Sequence, residues 1–288
     1  MTLVEPPADP RLGRGLPAIG QLPQEAVLDE LVARVVAPNA GMMSLDGTNT
    51  YVIRGAGEVA VVDPGPPNPE HLARVRRAVG DAACRWILVT HHHADHAEAA
   101  LPWAQQLEAT VCAARPDVAG PVGRALADGD EVALAGTSVT VVATPGHTTD
   151  HLAFRLESGA VLTGDHILGR GTSVVTHPEG DLLAYLESLR RVLDLGPAAL
   201  YPGHGPELSD DPNAVIEYYL AHRQFREQQI LAVLRNGPSD VKTIVARVYA
   251  DVDPALHPFA EQSTRAALEK MRVEGAVVLD RHDVVALA

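Results

Sequence analysis

Apolar and polar positions alternate in short blocks along the first two thirds of the chain and in longer helical periods after that. Thr50-Tyr51-Val52-Ile53 and residues 59–63 flank Gly55-Ala56-Gly57, the pattern of a β-hairpin. Pro64-Gly65-Pro66-Pro67 then breaks the chain, and Asn68 is placed to cap a helix over 69–79. The run Trp86-Ile87-Leu88-Val89-Thr90 predicts a strand buried on both faces. A helix follows, with Pro102 near its start, the only part of a helix where a missing N–H is tolerated. Further strands are predicted at 110–113, 139–143, 152–156 and 160–163. Leu182, Leu183, Leu186, Leu189, Val192 and Leu193 recur at three to four residues and predict an amphipathic helix over 180–195. Gly196-Pro197 ends it before a last core strand at 198–201.

From Pro212 the character changes. One long helical pattern covers 213–235, followed by helices at 241–250 and 263–274 and two β-like runs, 276–279 and 283–287. Helices followed by a terminal hairpin predict a small winged-helix-like domain. The expected organisation is therefore a lead segment (1–31), a catalytic domain (32–211) and a C-terminal domain (212–288).

Composition narrows the class. The chain has 288 residues, 46% hydrophobic and 21% charged, which suits a folded core and excludes a disordered protein. No run approaches the ~18 apolar residues of a membrane span. The first residues lack a basic stretch followed by an apolar one, so no secretory signal is read. Cys84 and Cys112 make no disulfide framework and read as buried, inert thiols; the expected location is the cytoplasm. The net charge is −14, with nine basic and ten acidic residues from Pro212 onward against fourteen and twenty-seven before it. That balance disfavours passive adhesion to nucleic acid and suits a catalytic domain that holds cations.

The histidines carry the chemistry. Of 13, four fall within His91-His92-His93-Ala94-Asp95-His96, directly after the predicted strand 86–90. On an extended chain, residues two apart point the same way, so His91 and His93 can grip one ion. Asp95 and His96 come as the chain turns into a helix and can face a second. Three more polar residues stand beside glycine at strand ends: His147 in Pro145-Gly146-His147, Asp165 in Gly164-Asp165, and His204 in Gly203-His204-Gly205. Imidazole and carboxylate together are the donors that Zn²⁺ prefers, with Mn²⁺ and Fe²⁺ fitting similar sets. Two such ions ~3.5–4 Å apart can hold a hydroxide between them as a nucleophile at neutral pH.

These segments resemble the metallo-β-lactamase-fold hydrolases through HxHxDH at 91–96, PGH at His147, GD at Asp165 and GHG at His204. The resemblance implies a four-layer αββα sandwich, here followed by the small, mainly helical C-terminal domain. It also implies a first metal on His91, His93 and His147, a second on Asp95, His96 and His204, and Asp165 bridging them. Within that family the chain is similar to the β-lactamase-like protein 2 (endoribonuclease) branch. The similarity runs through Leu45-Asp46-Gly47-Thr48-Asn49-Thr50-Tyr51, PGHTTDH (145–151), GDHILGRGT (164–172), YPGHGP (201–206) and HRQFREQQIL (222–231), over roughly 35–279.

The expected function is dinuclear hydrolysis with two Zn²⁺ (Mn²⁺ or Fe²⁺ as alternatives) and a metal-bridging hydroxide that Asp95 helps to orient. The first substrate reading, from the branch, is a phosphodiester of single-stranded RNA. The alternative is a thioester, ester or lactone of a small acyl compound; acidity and only 4% aromatic residues weigh against RNA. A membrane partner is not expected. Among neighbouring residues, His92 and His166 read as packing or supporting groups. His151 reads mainly as a structural residue, and Asp150 is placed to brace a ligand histidine. Arg170, Arg223 and Arg226 are candidate contacts for a substrate phosphate or carboxylate.

Overall fold

The computed structural model describes residues 5–13, 15–121 and 123–288. Seven strands form the first sheet in chain order: β1 (Glu25–Val27), β2 (Val32–Val36), β3 (Asn49–Arg54), β4 (Glu58–Val62), β5 (Ala83–Leu88), β6 (Thr110–Ala113) and β7 (Arg124–Ala125). Pairing is antiparallel from β1 to β4 and parallel from β4 to β7. The parallel half is joined by α1 (Pro69–Val79), α2 (Ala94–Ala97), α3 (Ala100–Leu107) and α4 (Pro116–Ala119). Asn68 caps α1 by accepting from the backbone N–H of Glu70 and His71, as its position before Pro69 predicts.

The second sheet contains β8 (Glu131–Leu134), β9 (Thr137–Ala143), β10 (Leu152–Leu156), β11 (Ala160–Gly164) and β12 (Ala199–Pro202), in the order β12-β11-β10-β9-β8. Helices α5 (Leu182–Asp194) and α6 (Pro212–Leu234) cover its outer face.

Strand alternation builds the layers. Tyr51, Ile53, Ala60 and Val62 face Leu152, Phe154, Leu156 and Leu162 between the sheets. The alternate residues Val52, Val59 and Val61 turn outward onto Leu72, Val75 and Trp103 of α1 and α3. On the far side Ala153 and Val161 meet Tyr185, Leu189 and Ile216 of α5 and α6. The result is the expected four-layer αββα sandwich.

After α6 come β13 (Ser239–Asp240), α7 (Val241–Val248), α8 (His257–Val273), β14 (Val277–Leu279) and β15 (Val284–Leu287), with strand order β13-β15-β14. This is the helical winged-helix unit. Ile244, Val248, Leu268, Met271 and Val285 share one apolar core with Ile230 and Leu234 of α6.

Several elements differ from the sequence reading. The strand expected at 86–90 runs instead from Ala83 to Leu88, and its first half, not buried on both faces, exposes Arg85, which pairs with Glu58. The last helix starts at His257 rather than 263, because Pro258 fits a first turn and polar side chains there hide the periodicity. Strands β1, β2, β7, β8 and β13 lie outside the predicted set: β1, β7 and β13 are only two or three residues long, and β2 carries the buried Arg34, paired with Glu207. The lead segment contributes β1 to the first sheet. Arg11 from the same segment is buried and donates to Leu168 O at 2.9 Å and Gly171 O at 2.6 Å.

Candidate metal centre

Strand ends from both sheets converge at one edge of the sandwich. The 91–96 segment follows β5, His147 follows β9, Asp165 follows β11 and His204 follows β12. Placement of polar groups at the carboxyl ends of strands is the usual way such sheets build a site. The alternation expected of His91 and His93 along an extended strand is not what brings them together. They lie in a bend after β5, and His93 is the N-cap of α2.

All seven sequence-predicted residues come together. His93 Nδ1 lies 3.0 Å from His91 Nε2 and 3.1 Å from His147 Nε2. His96 Nε2 lies 3.2 Å from His204 Nε2, and Asp95 Oδ2 lies 3.3 Å from His204 Nε2. Between the two groups, Asp165 Oδ1 is 3.4 Å from both His96 Nε2 and His204 Nε2, while its Oδ2 is 3.8 Å from His147 Nε2. Gly203 makes room for this: a Cβ there would meet Asp165 Oδ1 at 2.7 Å.

The outer nitrogens explain why the inner ones face each other. His147 Nδ1 donates to Val174 O at 2.7 Å and His204 Nδ1 to Gly47 O at 3.1 Å. His96 Nδ1 donates to Asp63 Oδ2 at 2.8 Å, and His93 Nε2 to Glu179 Oε1 at 3.2 Å. Thr90 gives its hydroxyl proton to Asp63 Oδ2, so its oxygen accepts from His91 Nδ1 at 3.0 Å. Every ligand-type histidine thus has its outward nitrogen committed as a donor, leaving the inward nitrogen to hold a cation. Asp165 Oδ1 is buried and accepts no hydrogen bond. Inward imidazole nitrogens at close range around an unsatisfied carboxylate oxygen fit a pair of divalent cations.

The electrostatics agree. Burial, reinforced by neighbouring imidazoles, keeps His91 well below its ordinary range and lowers His147, the neutral form a metal needs. For His96 and His204 burial acts downward too, but Asp165 outweighs it: His96 rises well above its usual value and His204 to about 9. Burial pushes Asp165 up, yet His204 and His96 hold it well below the carboxylate range. Without a metal, His96 and His204 beside Asp165 therefore favour protons, while His91 and His147 stay neutral.

Two supporting residues escaped the sequence reading. Asp63 is buried at the end of β4 and accepts from Thr90 N, Thr90 Oγ1 and His96 Nδ1. Its signal was available, since Asp63 follows an apolar strand and stands two residues before Gly65, much as Asp165 follows Gly164. Glu179 bridges His92 and His93 from a loop with no motif of its own. Asp150 braces His92, at 2.7 Å, rather than one of the predicted ligands. His151 donates from Nδ1 to Thr144 Oγ1 and accepts the backbone N–H of Asp165 at Nε2, 3.1 Å away. His166 is buried against Tyr185, and burial pushes it down to about 3.

A cleft of about 280 Å³ opens beside His147 and Asp165, between the sandwich and the C-terminal unit. Met42, Met43 and Leu45 contribute to its lining from the sandwich, and Val252, Leu256 and Phe259 from the C-terminal unit. Arg170, Arg223 and Arg226 also line it. Arg223 donates to Ser173 O and lies over the Tyr185 ring; Arg226 donates to Val248 O at 2.9 Å and lies over Tyr249. Both therefore tie α6 to its surroundings as well as facing the cleft. Cys84 and Cys112 are buried free thiols, each pushed up to about 11 by burial. No helix among the described residues is long and apolar enough to cross a membrane.

A four-layer sandwich with a His/Asp cluster at one edge defines a metal-dependent hydrolase. The chain belongs to the metallo-β-lactamase superfamily: residues 43–204 match that family, and residues 241–282 match the beta-lactamase associated winged helix domain. It is 32% identical over 277 residues to the beta-lactamase-like protein 2 homolog of Drosophila melanogaster, covering 88% of this chain and 92% of that one. It is 34% identical over 242 residues to the atrochrysone carboxyl ACP thioesterase of Aspergillus fumigatus, covering 81% and 74%. Among solved structures, a metallo-beta-lactamase family protein from Thermus thermophilus superposes with a TM-score of 0.77 at 26% identity, over 91% of this chain and 100% of the other.

Proposed function

We propose that the chain hydrolyses an ester, thioester or lactone of a small acyl compound. In this reading His91, His93 and His147 would hold one divalent cation and Asp95, His96 and His204 a second, with Asp165 standing between the two sets. The imidazole-rich donor set suits Zn²⁺, with Mn²⁺ or Fe²⁺ as alternatives. When bound, such cations supply Lewis acidity and lower the pKa of water from ~15.7 toward ~7.

The observation that supports an acyl substrate is the cleft wall, where Met42, Met43, Leu45, Leu168, Val174 and Phe259 offer apolar surface beside Asp165. Burial pushes the Asp95 carboxyl up, but His204 and His96 hold it below the ordinary carboxylate range, so it is ionised at neutral pH. It is the more exposed of the two cluster carboxylates and is placed to orient the attacking water and accept its proton. The water oxygen adds to the acyl carbon, the bond to sulfur or oxygen breaks, and the products are a carboxylate, a thiol or alcohol, and a proton. The relative named as a thioesterase supports the same bond type.

A second reading, cleavage of a single-stranded RNA phosphodiester, draws on Arg170, Arg223 and Arg226 in the cleft. A cytoplasmic location is part of the proposal and rests on the two unpaired, buried cysteines. Metal-quantified protein, with Asp165→Asn as control, separates the substrates. The expected result is metal-dependent turnover of acyl thioesters, lost in the variant, with labelled RNA left intact. RNA cutting with the thioesters untouched would overturn the acyl reading.

A further inference from the structure

We infer that the cleft contains an anion-binding subsite, built by Arg170, His222, Arg223 and Arg226, that receives a carboxylate or phosphate group carried by the substrate. The inference rests on the acyl-hydrolase reading for its place in catalysis, and on the cleft alone for the binding of the anion.

Four unpartnered nitrogens carry it. Arg170 Nη2, His222 Nδ1, Arg223 Nε and Arg226 Nε are all buried and have no hydrogen-bond partner, and all four residues line the same cleft. The three guanidinium nitrogens are N–H donors whatever the His222 tautomer, and buried N–H groups without an acceptor are costly, so native proteins rarely leave them so. Arg223 is itself more than nine-tenths buried. Its bond to Ser173 O and the bond of Arg226 to Val248 O use only some of the five donors each guanidinium offers.

The charge is as unusual as the hydrogen bonding. The chain carries −14 overall, yet among the described residues neither Arg223 nor Arg226 has a carboxylate within ion-pair distance. Arg170 has one, Asp46, whose Oδ2 lies 3.1 Å from its Nε. Asp46 in turn accepts from Gly20 N at 2.8 Å, so the guanidinium is held from behind. His222 registers the local field: burial, then Arg223, Arg226 and Arg11, press it down to about 3, so it stays neutral. Fixed guanidiniums in a half-enclosed, partly apolar cleft are the arrangement that recognises carboxylate and phosphate.

The layout then describes the ligand. Asp165 and His147 stand on the same cleft as the arginines, with Leu168, Val174 and Phe259 also on its wall. A substrate that fits both has its scissile acyl group at the histidine cluster, an apolar middle, and an anionic terminus against Arg170 and Arg226. A dicarboxylic monothioester has that form.

The test uses metal-loaded protein as wild type, Arg170→Gln, Arg226→Gln and, as an off-cleft control, Arg272→Gln. Glutarate and inorganic phosphate are titrated by calorimetry, and circular dichroism checks each fold. The expected result is binding of at least one anion that weakens about tenfold or more in both cleft variants and is unchanged in the control. Whichever anion binds identifies the terminus. Equal binding by wild type and the folded cleft variants would overturn the subsite, because the anion would then sit elsewhere. In parallel, KM is compared for a glutaryl and a butyryl thioester; a preference for the glutaryl compound that collapses in the cleft variants is expected. If no thioester is cleaved while arginine-dependent binding persists, the acyl reading fails and the subsite stands. If both thioesters are cleaved alike and no arginine-dependent binding is seen, the subsite fails and the acyl reading stands.

Discussion

Asp63 Oδ2 accepts a hydrogen bond from His96 Nδ1 at 2.8 Å, and the same oxygen accepts from Thr90 Oγ1, which in turn meets His91 Nδ1. One buried carboxylate therefore orients an imidazole in each half of the cluster. Its backbone is held at φ 48°, a left-handed conformation that asparagine also tolerates. Asp63→Asn is expected to keep the fold and weaken metal binding about 10–100-fold, because an amide N–H presented to Nδ1 favours the wrong tautomer. Competition with a chelator, read as metal per chain, checks this.

Glu179 touches only one side of the cluster, through His93 Nε2 at 3.2 Å and His92 Nε2 at 3.0 Å. Glu179→Ala is expected to cost about tenfold in affinity for one of two metals and leave the other near its original value. A two-step metal titration distinguishes this from Asp63→Asn, which is expected to affect both steps.

His151 supports Asp165 by accepting its backbone N–H while donating to Thr144 Oγ1. Replacing it with phenylalanine leaves both groups without that partner, and is expected to destabilise the protein by about 1–3 kcal/mol. Activity is expected to fall further than stability, since the Asp165 backbone is released. Denaturant midpoints and turnover measured on the same sample separate the two effects.

Arg11 holds the loop after β11 to α6. Its guanidinium reaches two carbonyls, pairs with Asp9 at 2.7 Å, and lies over the rings of Tyr218 and Tyr219. Arg11→Ala is expected to cost about 3 kcal/mol, read as a lower unfolding temperature, because it strands buried acceptors. Removal of residues 1–12 is expected to reproduce that loss.

Acid should expose the buried His71. Burial, with Arg74 nearby, holds it at about 4, whereas an unfolded chain titrates it near ~6.5. As pH falls below ~6.5 the unfolded state takes up the proton first, so stability drops through that window and levels off once the folded group also titrates. The loss is at most about 3 kcal/mol. The difference in unfolding free energy between wild type and His71→Asn, both metal-free, is expected to shrink between pH 7 and pH 4.5; a constant difference would refute the assignment.

The sandwich and the seven clustered residues were readable because each sits where a strong local signal meets a strand end. His91, His93, Asp95 and His96 share six residues, and His147, Asp165 and His204 each stand beside glycine. What escaped reading depended on partners far away in the chain. Glu179 acquires meaning only from His92 and His93, 87 and 86 residues earlier. Arg11 looks like an ordinary surface charge until Leu168 and Gly171, 157 and 160 residues on, are placed over it. The start of β5 was missed for a local reason: Arg85 interrupts its apolar run, and burial alternates over Ala83, Cys84 and Arg85.

The cleft has walls of two origins. His147 and Asp165 belong to the sandwich, whose donors are interlocked through Asp63, Thr90 and His151 and leave little latitude for change. Val252, Leu256 and Phe259 belong to a unit that gives the cluster no donor. Substitution at those positions can change the shape of the cleft without touching a donor of the cluster, so selection has room to retarget the enzyme there that the interlocked sandwich wall does not offer.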